Sequence, residues 1–312
     1  MLVFSGSNSN LYKAIFIVSL AILLLVPLPA DTLWLRELFN SGHSIVFFFI
    51  TLILFEYVSI RLKGFHPVVT FLVVLAAAFM IGVFIEMIQG LLQREASISD
   101  LSRNLAGIIP GLCLAIYFQQ KAWYQRLALI SVMLISLFFG GYSLIEISWS
   151  YYQRSKAFPL LTEFEKPWTK SFVRLNKVAF QGVANKKSPL ELARFNFRFD
   201  PGVYPGVSII EPVENWSGYQ SLHFDIFSTN IDNVKIVLRV HDKQHNQDFS
   251  DRFNRHFIIQ PGLNRIVVEL SEIRDAPYNR KLDMVNIAGV ELFLTDVEET
   301  LFLEVSNIFI QM

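Results

Sequence analysis

The chain has one cysteine, very little charge inside the long apolar runs of its first half, and no excess of either charge sign. Its 312 residues carry 27 basic and 27 acidic side chains, so the formal net charge is zero. Since Cys113 is the only cysteine, no disulfide forms within the chain, and each folded domain depends on its own core. The balanced charge and the lack of a basic run argue against nucleic acid as a partner.

The sequence also lacks the short motifs that carry common enzyme chemistry. It contains no nucleophile elbow, no glycine-rich phosphate loop and no zinc-ligand spacing such as HExxH. We therefore expect no metal and no cofactor. The sequence leaves open whether the protein is an enzyme.

Apolar runs fill the first half of the chain, and hydrophobic residues make up 53% of the whole. A run of about 18 apolar residues can cross a bilayer as a helix, because a helix satisfies its own backbone hydrogen bonds. The sequence therefore predicts a membrane α-helical bundle in which the lipid bilayer is a partner. Its five transmembrane helices are expected at Tyr12–Pro29, Ser44–Ile60, Val68–Leu92, Leu105–Phe118 and Leu127–Ile147.

Basic residues in the short loops predict the orientation, because such loops tend to stay in the cytoplasm. Lys13 precedes the first run, Arg61 and Lys63 follow the second, and Lys121 and Arg126 separate the last two. We therefore expect a multi-pass protein of the cell membrane with a cytoplasmic amino terminus. Everything after the fifth run is then expected outside the cytoplasm.

Polar residues within spans are costly, so they are candidates for function. Glu86 and Gln89 are three residues apart on one helix face, and Asp100 and Asn104 are four apart on another. His43 lies at the outer start of the second run. The predicted orientation brings all five to one membrane level, so these are the candidate catalytic residues.

This group of side chains allows four interpretations, which the sequence leaves open. The first is acid–base chemistry on a lipid-linked or headgroup substrate, and the second is binding of a polar headgroup or glycan. The third is hydrogen bonding across helices that holds the bundle together. The fourth is a divalent metal held by His43, Glu86 and Asp100, which no compact ligand motif supports. Gly107 and Gly111 continue the helix face of Asp100 and Asn104, and we expect them to let a neighbouring helix approach closely.

The order of these residues also resembles a known membrane family. His43, Glu86-x-x-Gln89 and Asp100-x-x-x-Asn104-x-x-Gly107 resemble the VanZ-like family, which is named after a protein associated with teicoplanin resistance. The resemblance covers residues 12–120 or so and implies work in the cell envelope. Family members often carry an aspartate and a lysine shortly before the histidine, where this chain has Phe39-Asn40-Ser41-Gly42.

The second half alternates apolar and polar residues like a soluble β protein. Short segments with period-two alternation and turn residues between them predict antiparallel strands. The expected fold is an all-β jelly-roll or sandwich at residues 151–312, after a membrane domain at residues 1–150. The predicted strands are Leu190–Arg198, Gln220–Ser228, Val234–His241, Arg255–Gln260, Asn264–Leu270, Val290–Leu294 and Leu301–Ile310.

This half resembles carbohydrate-binding modules with a galactose-binding-like jelly roll. The segments that carry the resemblance are Trp216–Ile226, His241-Asp242, Asp251-Arg252-Phe253 and Gly262–Ile266. The resemblance implies a glycan or a lipid-linked glycan as a partner. It adds nothing about which sugar is bound.

Sugar sites combine an aromatic platform with a few charged or amide groups that reach the hydroxyls. The candidate ligand-binding residues come from loops and strand ends: Trp216, Asp242, Asp248, Asp251, Arg252, Arg255 and Tyr278. In the alternative interpretation, Trp216 closes the core while Asp251 and Arg252 pair in a solvated loop. A linker from Trp149 to Phe158 is expected to join the two halves.

The leading functional hypothesis is binding or handling of a cell-envelope glycan, or a lipid-linked glycan, by a membrane protein with an outward sandwich. One alternative is a membrane enzyme that modifies such a substrate through His43, Glu86 and Asp100. The other is a structural protein whose sandwich docks a second envelope protein.

Overall fold

The computed structural model describes residues 31–91, 98–184 and 193–312. The chain divides into two compact units, Met1–Ser148 and Trp149–Met312, close to the predicted division after residue 150. The first predicted span, Tyr12–Pro29, lies outside the described residues.

The first half of the described chain is helical. Its helices are α1 (Leu33–Arg61), α2 (Pro67–Leu91), α3 (Ile98–Tyr117) and α4 (Trp123–Ala157). The α1 helix begins well before the predicted Ser44, because Thr32 caps its amino end. The Thr32 hydroxyl accepts a hydrogen bond from the backbone N–H of Leu35 at 3.2 Å, which satisfies one donor of the first turn.

The number of membrane-spanning candidates differs from the prediction. Within the described residues, three helices, α1, α2 and α4, are long and apolar enough to cross a membrane, where the sequence predicted five. The α3 helix does not qualify, because its first two turns carry Asp100, Arg103 and Asn104, and this shortens its apolar stretch.

Glycines allow a close helix contact among the described helices of the first unit, as predicted. A Cβ atom on Gly107 would lie 2.1 Å from the carbonyl oxygen of Ser44, and one on Gly111 would lie 2.8 Å from the Cβ atom of Thr51. Both contacts join α3 to α1, so only glycine permits this separation of the two helices. The apolar core around them draws on α1, α2 and α3 and consists of Val46, Phe47, Ile50, Val74, Ala78, Ile85, Ile108 and Leu112.

The predicted linker at Trp149–Phe158 is helical as far as Ala157, which corrects the prediction. The segment contains no glycine or proline until Pro159, so nothing interrupts the helix earlier. Its residues belong to the second unit and pack against the sandwich there. The rings of Tyr151 and Phe172 meet edge to face with centroids 5.0 Å apart, and the hydroxyl groups of Ser150 and Ser171 are 2.9 Å apart.

The second unit is an antiparallel β-sandwich, as predicted. Its strands are β1 (Val173–Asn176), β2 (Val178–Val183), β3 (Arg194–Phe199), β4 (Gly206–Ile210), β5 (Ser221–Ser228), β6 (Val234–Asp242), β7 (Phe253–Ile259), β8 (Gly262–Glu269), β9 (Ile287–Leu294), β10 (Leu301–Ser306) and β11 (Phe309–Gln311). Sheet I has the order β1-β4-β9-β6-β7. Sheet II has the order β11-β5-β10-β3-β2, with β8 paired to β5.

Strand alternation builds the core between the two sheets. On β6, Ile236, Leu238 and Val240 point into the core, and Lys235, Arg239 and His241 occupy the opposite face. On the facing sheet the inward side chains include Phe195, Phe197 and Phe199 of β3, each at most 1% exposed. Short helices α5 (Pro167–Phe172) and α6 (Leu270–Arg274) complete the unit.

The sequence missed β1, β2 and β4, and it wrongly joined β10 and β11 into one strand. The strand ends between them because Asn307 and Ile308 form hydrogen bonds outside the sheet. The backbone N–H of Ile308 donates to the Thr162 hydroxyl at 2.9 Å, and the side-chain oxygen of Asn307 accepts from the Phe164 N–H at 3.2 Å.

Candidate functional site

Three of the five candidate residues of the helical unit form one buried cluster. The Nδ1 atom of His43 lies 3.0 Å from the Oδ1 atom of Asn104 and 4.0 Å from the Oε1 atom of Glu86. These residues come from α1, α3 and α2, and they are 4%, 0% and 8% exposed. The cluster therefore joins three helices through polar side chains.

Space for this cluster depends on a glycine of α2. A Cβ atom on Gly82 would lie 3.1 Å from the Nδ2 atom of Asn104. That Nδ2 atom is buried and has no hydrogen-bond partner among the described residues, whereas the Oδ1 atom faces His43. Because Asn104 offers an acceptor at 3.0 Å, it favours the tautomer of His43 in which Nδ1 carries the proton.

Asp100 belongs to a different polar group. Its Oδ1 atom accepts a hydrogen bond from the Nη1 atom of Arg103 at 2.7 Å, and the Nη2 atom of Arg103 donates to Glu37 at 3.0 Å. Arg103 thus binds the start of α3 to α1. Gln89 is buried at 3% exposure on the same helix as Glu86. The structure therefore brings His43, Glu86 and Asn104 together and directs Asp100 to an ion pair.

The chemistry open to the His43 cluster is limited by its burial. General acid–base catalysis needs a substrate within hydrogen-bond reach of the imidazole or the carboxylate. All three residues are buried between helices, and the side chains of His43 and Glu86 are only 5% and 11% exposed. Within the described residues, no group of three or more His, Cys, Asp or Glu side chains is arranged to hold a metal.

In the sandwich, Trp216 is a core residue. It is 1% exposed, and its Nε1 atom donates to the carbonyl oxygen of Val213 at 2.8 Å. The indole is therefore enclosed by the protein and offers no face to a sugar, which agrees with the alternative interpretation of this residue.

Asp242 and Asp251, two further candidates, are held by an arginine that the sequence analysis did not single out. The Nη1 and Nη2 atoms of Arg280 donate to the two carboxylate oxygens of Asp242 at 2.5 and 2.8 Å. The Nε atom of Arg280 donates to Asp251 at 2.5 Å. This bidentate pairing joins the end of β6, the loop before β7 and the loop before β9.

Arg280 lowers the pKa of both carboxyl groups. Arg280 lowers the pKa of Asp251 to about 2, and the Asn246 N–H that donates to this carboxylate adds to the effect. Burial opposes ionisation of Asp242, but the hydrogen bonds from Arg280 and from the Asp283 N–H outweigh it and lower its pKa. Both carboxylates are therefore charged and internally bonded at neutral pH.

The remaining loop candidates are scattered. The Arg255 guanidinium donates to Glu272 at 2.6 Å, and Asp248 is exposed beside Asn246. Tyr278 is 87% exposed. Arg252 is half-buried, with its Cζ atom 6.0 Å from the ring centroid of Phe249 and its Nη1 atom 3.3 Å from the Nε2 atom of His245.

A larger group of neighbouring polar side chains lies on the outer face of sheet I, which is the side of that sheet turned away from the core. We define it by the outward residues Arg174 and Asn176 of β1, Ser208 and Ile210 of β4, Glu291 and Phe293 of β9, Lys235, Val237, Arg239 and His241 of β6, and Asn254, His256 and Ile258 of β7. Strand register places Ser208, Glu291, Arg239 and Asn254 side by side across four strands.

A hydrogen-bonded polar row crosses the centre of this face. The Nη1 atom of Arg239 donates to Glu291 at 3.1 Å, and its Nε atom donates to the side-chain oxygen of Asn254 at 3.2 Å. The Cζ atom of Arg239 also lies 4.7 Å from the ring centroid of Phe293. Tyr204, which is 58% exposed, meets Phe293 edge to face with ring centroids 5.8 Å apart.

One end of the face is formed by His241. Its ring lies over Gly289, where a Cβ atom would approach the imidazole to 2.4 Å. Burial lowers the pKa of His241, and Arg239 and Arg252 also lower it, against the opposing effect of Glu291. The imidazole is therefore neutral at pH 7. Its Nδ1 atom is buried and has no hydrogen-bond partner in the part of the chain that the structure describes.

Sequence reasoning named only Arg252 in the vicinity of this face. It missed Tyr204, Arg239, Asn254, Glu291 and Phe293, because they meet only through the pairing of distant strands. The local signal is the alternation along Val234–His241, in which Ile236, Leu238 and Val240 occupy one side of the strand and Arg239 and His241 the other.

Comparison with known proteins shows likeness in the sandwich. No protein-family model and no curated protein matches the chain, so the VanZ-like resemblance stays a prediction. The C-terminal region resembles the family 11 carbohydrate-binding module from Clostridium thermocellum in complex with a β-1,3-1,4-mixed-linked tetrasaccharide. Identity is 17%, the TM-score is 0.39, and the match covers 49% of this chain and 94% of that module.

Two further solved structures match a similar share of the chain. The family 11 module of the cellulase Lic26A-Cel5E of Clostridium thermocellum is 14% identical, with a TM-score of 0.36, over 49% of this chain and 92% of that one. An exo-β-agarase is 18% identical, with a TM-score of 0.39, over 49% of this chain but only 25% of the agarase. The likeness concerns the β-sandwich fold alone.

Proposed function

We propose that the protein is a membrane protein that binds a glycan of the cell envelope on the outer face of sheet I. The observation that carries the proposal is the polar row Glu291–Arg239–Asn254 beside the exposed ring of Tyr204. A sugar ring has one or more apolar C–H faces and a rim of hydroxyl groups. An aromatic ring next to fixed donors and acceptors satisfies both.

The row is well suited to hydroxyl recognition because its atoms are already oriented. Arg239 is held by two neighbours and stacked on Phe293, so little side-chain entropy is lost when a ligand arrives. Side chains of Arg239 and Glu291 are 23% and 26% exposed, so their outer atoms remain within reach of a ligand.

The membrane part of the proposal rests on composition and loop charge. The helices α1, α2 and α4 have the length and apolarity of spans. The orientation also requires α3 to cross the membrane, as the sequence predicts. The basic loop residues Arg61, Lys63, Lys121 and Arg126 then lie together on the cytoplasmic side, and the sandwich lies outside the cytoplasm. In that orientation the sandwich meets envelope glycans while the helices anchor it.

For the His43 cluster we propose a structural role. Its burial and its origin from three helices support hydrogen bonding that fixes the bundle, which is the third interpretation of these residues. The enzyme alternative stays a prediction. It requires that a substrate reach Glu86 or His43 from the membrane surface.

The proposal is tested by glycan binding to the full chain reconstituted in lipid nanodiscs, measured against a panel of neutral and acidic polysaccharides. We expect Tyr204→Ala and Arg239→Ala to weaken binding about tenfold each, the scale of one lost stacking or charged hydrogen-bond contact.

Matched controls lie on the outer face of sheet II. Phe302→Ala removes an aromatic ring that is 46% exposed, and Arg198→Ala removes an exposed paired arginine. Both controls should bind like the unaltered chain. Failure of the full chain to bind any polysaccharide in the panel would contradict the proposal, as would equal losses from the two sheets.

A further inference from the structure

The outer face of sheet I carries more positive than negative charge. Arg174, Lys235 and Arg239 occupy outward strand positions, and Arg252 immediately precedes β7 on the same side. Glu291 is the one carboxylate at the outward positions of these five strands. The face therefore has three cations beyond the single ion pair formed by Arg239 and Glu291.

Five arginines elsewhere in the described part of the sandwich are matched with carboxylates within 3.4 Å: Arg194 with Glu304, Arg198 with Asp200, Arg255 with Glu272, Arg274 with Asp275, and Arg280 with Asp242 and Asp251. On the outer face of sheet I, Arg239 is paired with Glu291 in the same way. Arg174 and Arg252 form no ion pair with a described carboxylate, so they are the arginines of this face that a ligand could neutralise.

Arg252 is the most informative of the unmatched cations. It is half-buried, it forms no ion pair with a carboxylate among the described residues, and its Nε atom is buried without a hydrogen-bond partner. Its Nη1 atom faces the Nε2 atom of His245 at 3.3 Å. Burial lowers the pKa of Arg252, because the charge is partly removed from water.

Arg174 lies at the other edge of the sheet. It is exposed and donates only to the backbone carbonyl oxygens of Ser171 and Val173, at 3.0 and 3.2 Å. The strands β1 and β7 are separated by four inter-strand spacings, which is roughly 19 Å at about 4.8 Å each. Two cations at opposite edges therefore suit an extended chain with repeated negative charges.

A guanidinium binds a carboxylate or phosphate through two parallel hydrogen bonds, and it prefers such oxyanions to hydroxyl groups. We propose that the glycan bound on the outer face of sheet I is acidic, with carboxylate or phosphate groups that pair with Arg252 and Arg174. This inference rests on the proposed function and specifies its ligand class.

The test uses the full chain in nanodiscs made only of zwitterionic lipid, with polygalacturonate as the charged probe and its fully methyl-esterified form as the neutral probe. We expect polygalacturonate to bind at least about tenfold more tightly in dilute salt, and this preference to shrink at high salt as screening increases. Phosphate-substituted dextran serves as the phosphate probe, with unmodified dextran as its neutral control.

Variants separate the charged contact from the rest of the site. Arg252→Gln and Arg174→Gln should each lower polygalacturonate affinity about tenfold and leave the neutral form unchanged. Arg198→Gln, whose arginine lies on sheet II, should change neither. Arg252→Lys keeps the charge, so it should retain part of the preference and show that Arg252→Gln acts through charge and not through misfolding.

The outcomes are distinguishable. Equal affinity for charged and neutral polysaccharides would overturn this inference and leave the proposed function standing. Binding to no polysaccharide would overturn both. Binding of the chain to anionic vesicles, with the same loss in Arg252→Gln and no polysaccharide binding, would show that the face recognises a membrane surface and would also overturn the inference.

Discussion

The candidate polar side chains are buried in the helical unit and lie on an open face in the sandwich. In the helical unit, His43, Glu86 and Asn104 are enclosed between helices and are less than a tenth exposed. On the outer face of sheet I, Arg174 and Arg252 remain without carboxylate partners in the described residues. Polar groups that face each other inside a fold contribute to its stability, whereas unmatched charges on an open face suggest a ligand.

The comparison also shows why a cluster of polar residues in a sequence is an ambiguous signal. The first half offered the more conspicuous pattern, yet its residues mainly contact one another. The second half offered acidic loop residues, and Arg280 binds two of them internally. The remaining candidate site is the outer face of sheet I, whose residues are far apart in the sequence and meet through strand pairing.

The largest expected effect on stability comes from removing Arg280, which binds the carboxylates of Asp242 and Asp251. Arg280→Leu leaves the fully buried side chain of Asp242 without its counter-charge, which should destabilise the sandwich by about 3–5 kcal/mol. Arg198→Leu is the matched control, because Arg198 and Asp200 are 42% and 39% exposed and such pairs contribute about 0–1 kcal/mol. Thermal unfolding of both variants checks this, and equal losses would contradict the assigned structural role of Arg280.

A smaller but distinct effect is expected in the helical unit. Gly107→Ala places a methyl group against the Ser44 carbonyl oxygen, so α1 and α3 must separate, at a cost of about 1–3 kcal/mol. Gly141→Ala is the control, since a Cβ atom there has no neighbour within 4 Å and alanine favours the helix by about 0.5–1 kcal/mol. Melting temperatures in detergent should move in opposite directions. A stable Gly107→Ala variant would show that the two helices are not in tight contact.

The smallest effect is expected from acid. Because Arg280 lowers the pKa of Asp251 to about 2 in the folded state, this carboxyl group stabilises the fold above its unfolded pKa of about 3.9. Stability should therefore fall as the pH drops from about 4 to 2, and Asp242, whose pKa is also lowered, acts in the same direction. Melting temperatures measured across that range should fall less steeply in Arg280→Leu. If the melting temperature falls equally steeply with pH in the unaltered chain and in Arg280→Leu, the ion pairs of Arg280 are not the cause of the acid sensitivity.

Much of the fold could be predicted from local patterns in the sequence. Apolar length indicated the helices, and period-two alternation indicated most strands. The spacing of Gly107 and Gly111 indicated a close contact with a neighbouring helix, which the structure identifies as α1. The short strands β1, β2 and β4 were missed because each is stabilised mainly by its neighbours in the sheet. The helical extension to Ala157 was missed because the apolar run that predicted this helix ends at Ile147.

The candidate site was harder to predict because it depends on long-range pairing. Arg280 lies 38 residues from Asp242 and 29 from Asp251, so no local motif marks the ion pair. Arg239 and Glu291 are 52 residues apart and meet only because β6 and β9 pair in one register. Tyr204 lies in a loop, and its position beside Phe293 follows from the placement of β4 against β9.

The most direct measurement is hydroxyl-radical footprinting of the full chain in nanodiscs, with and without the polysaccharide that binds most tightly. If the glycan lies on the outer face of sheet I, added polysaccharide reduces oxidation of Tyr204 and His256, while Phe302 on sheet II is oxidised as before. Protection of Phe302 with Tyr204 unchanged would place the ligand on the opposite side of the sandwich and contradict the account.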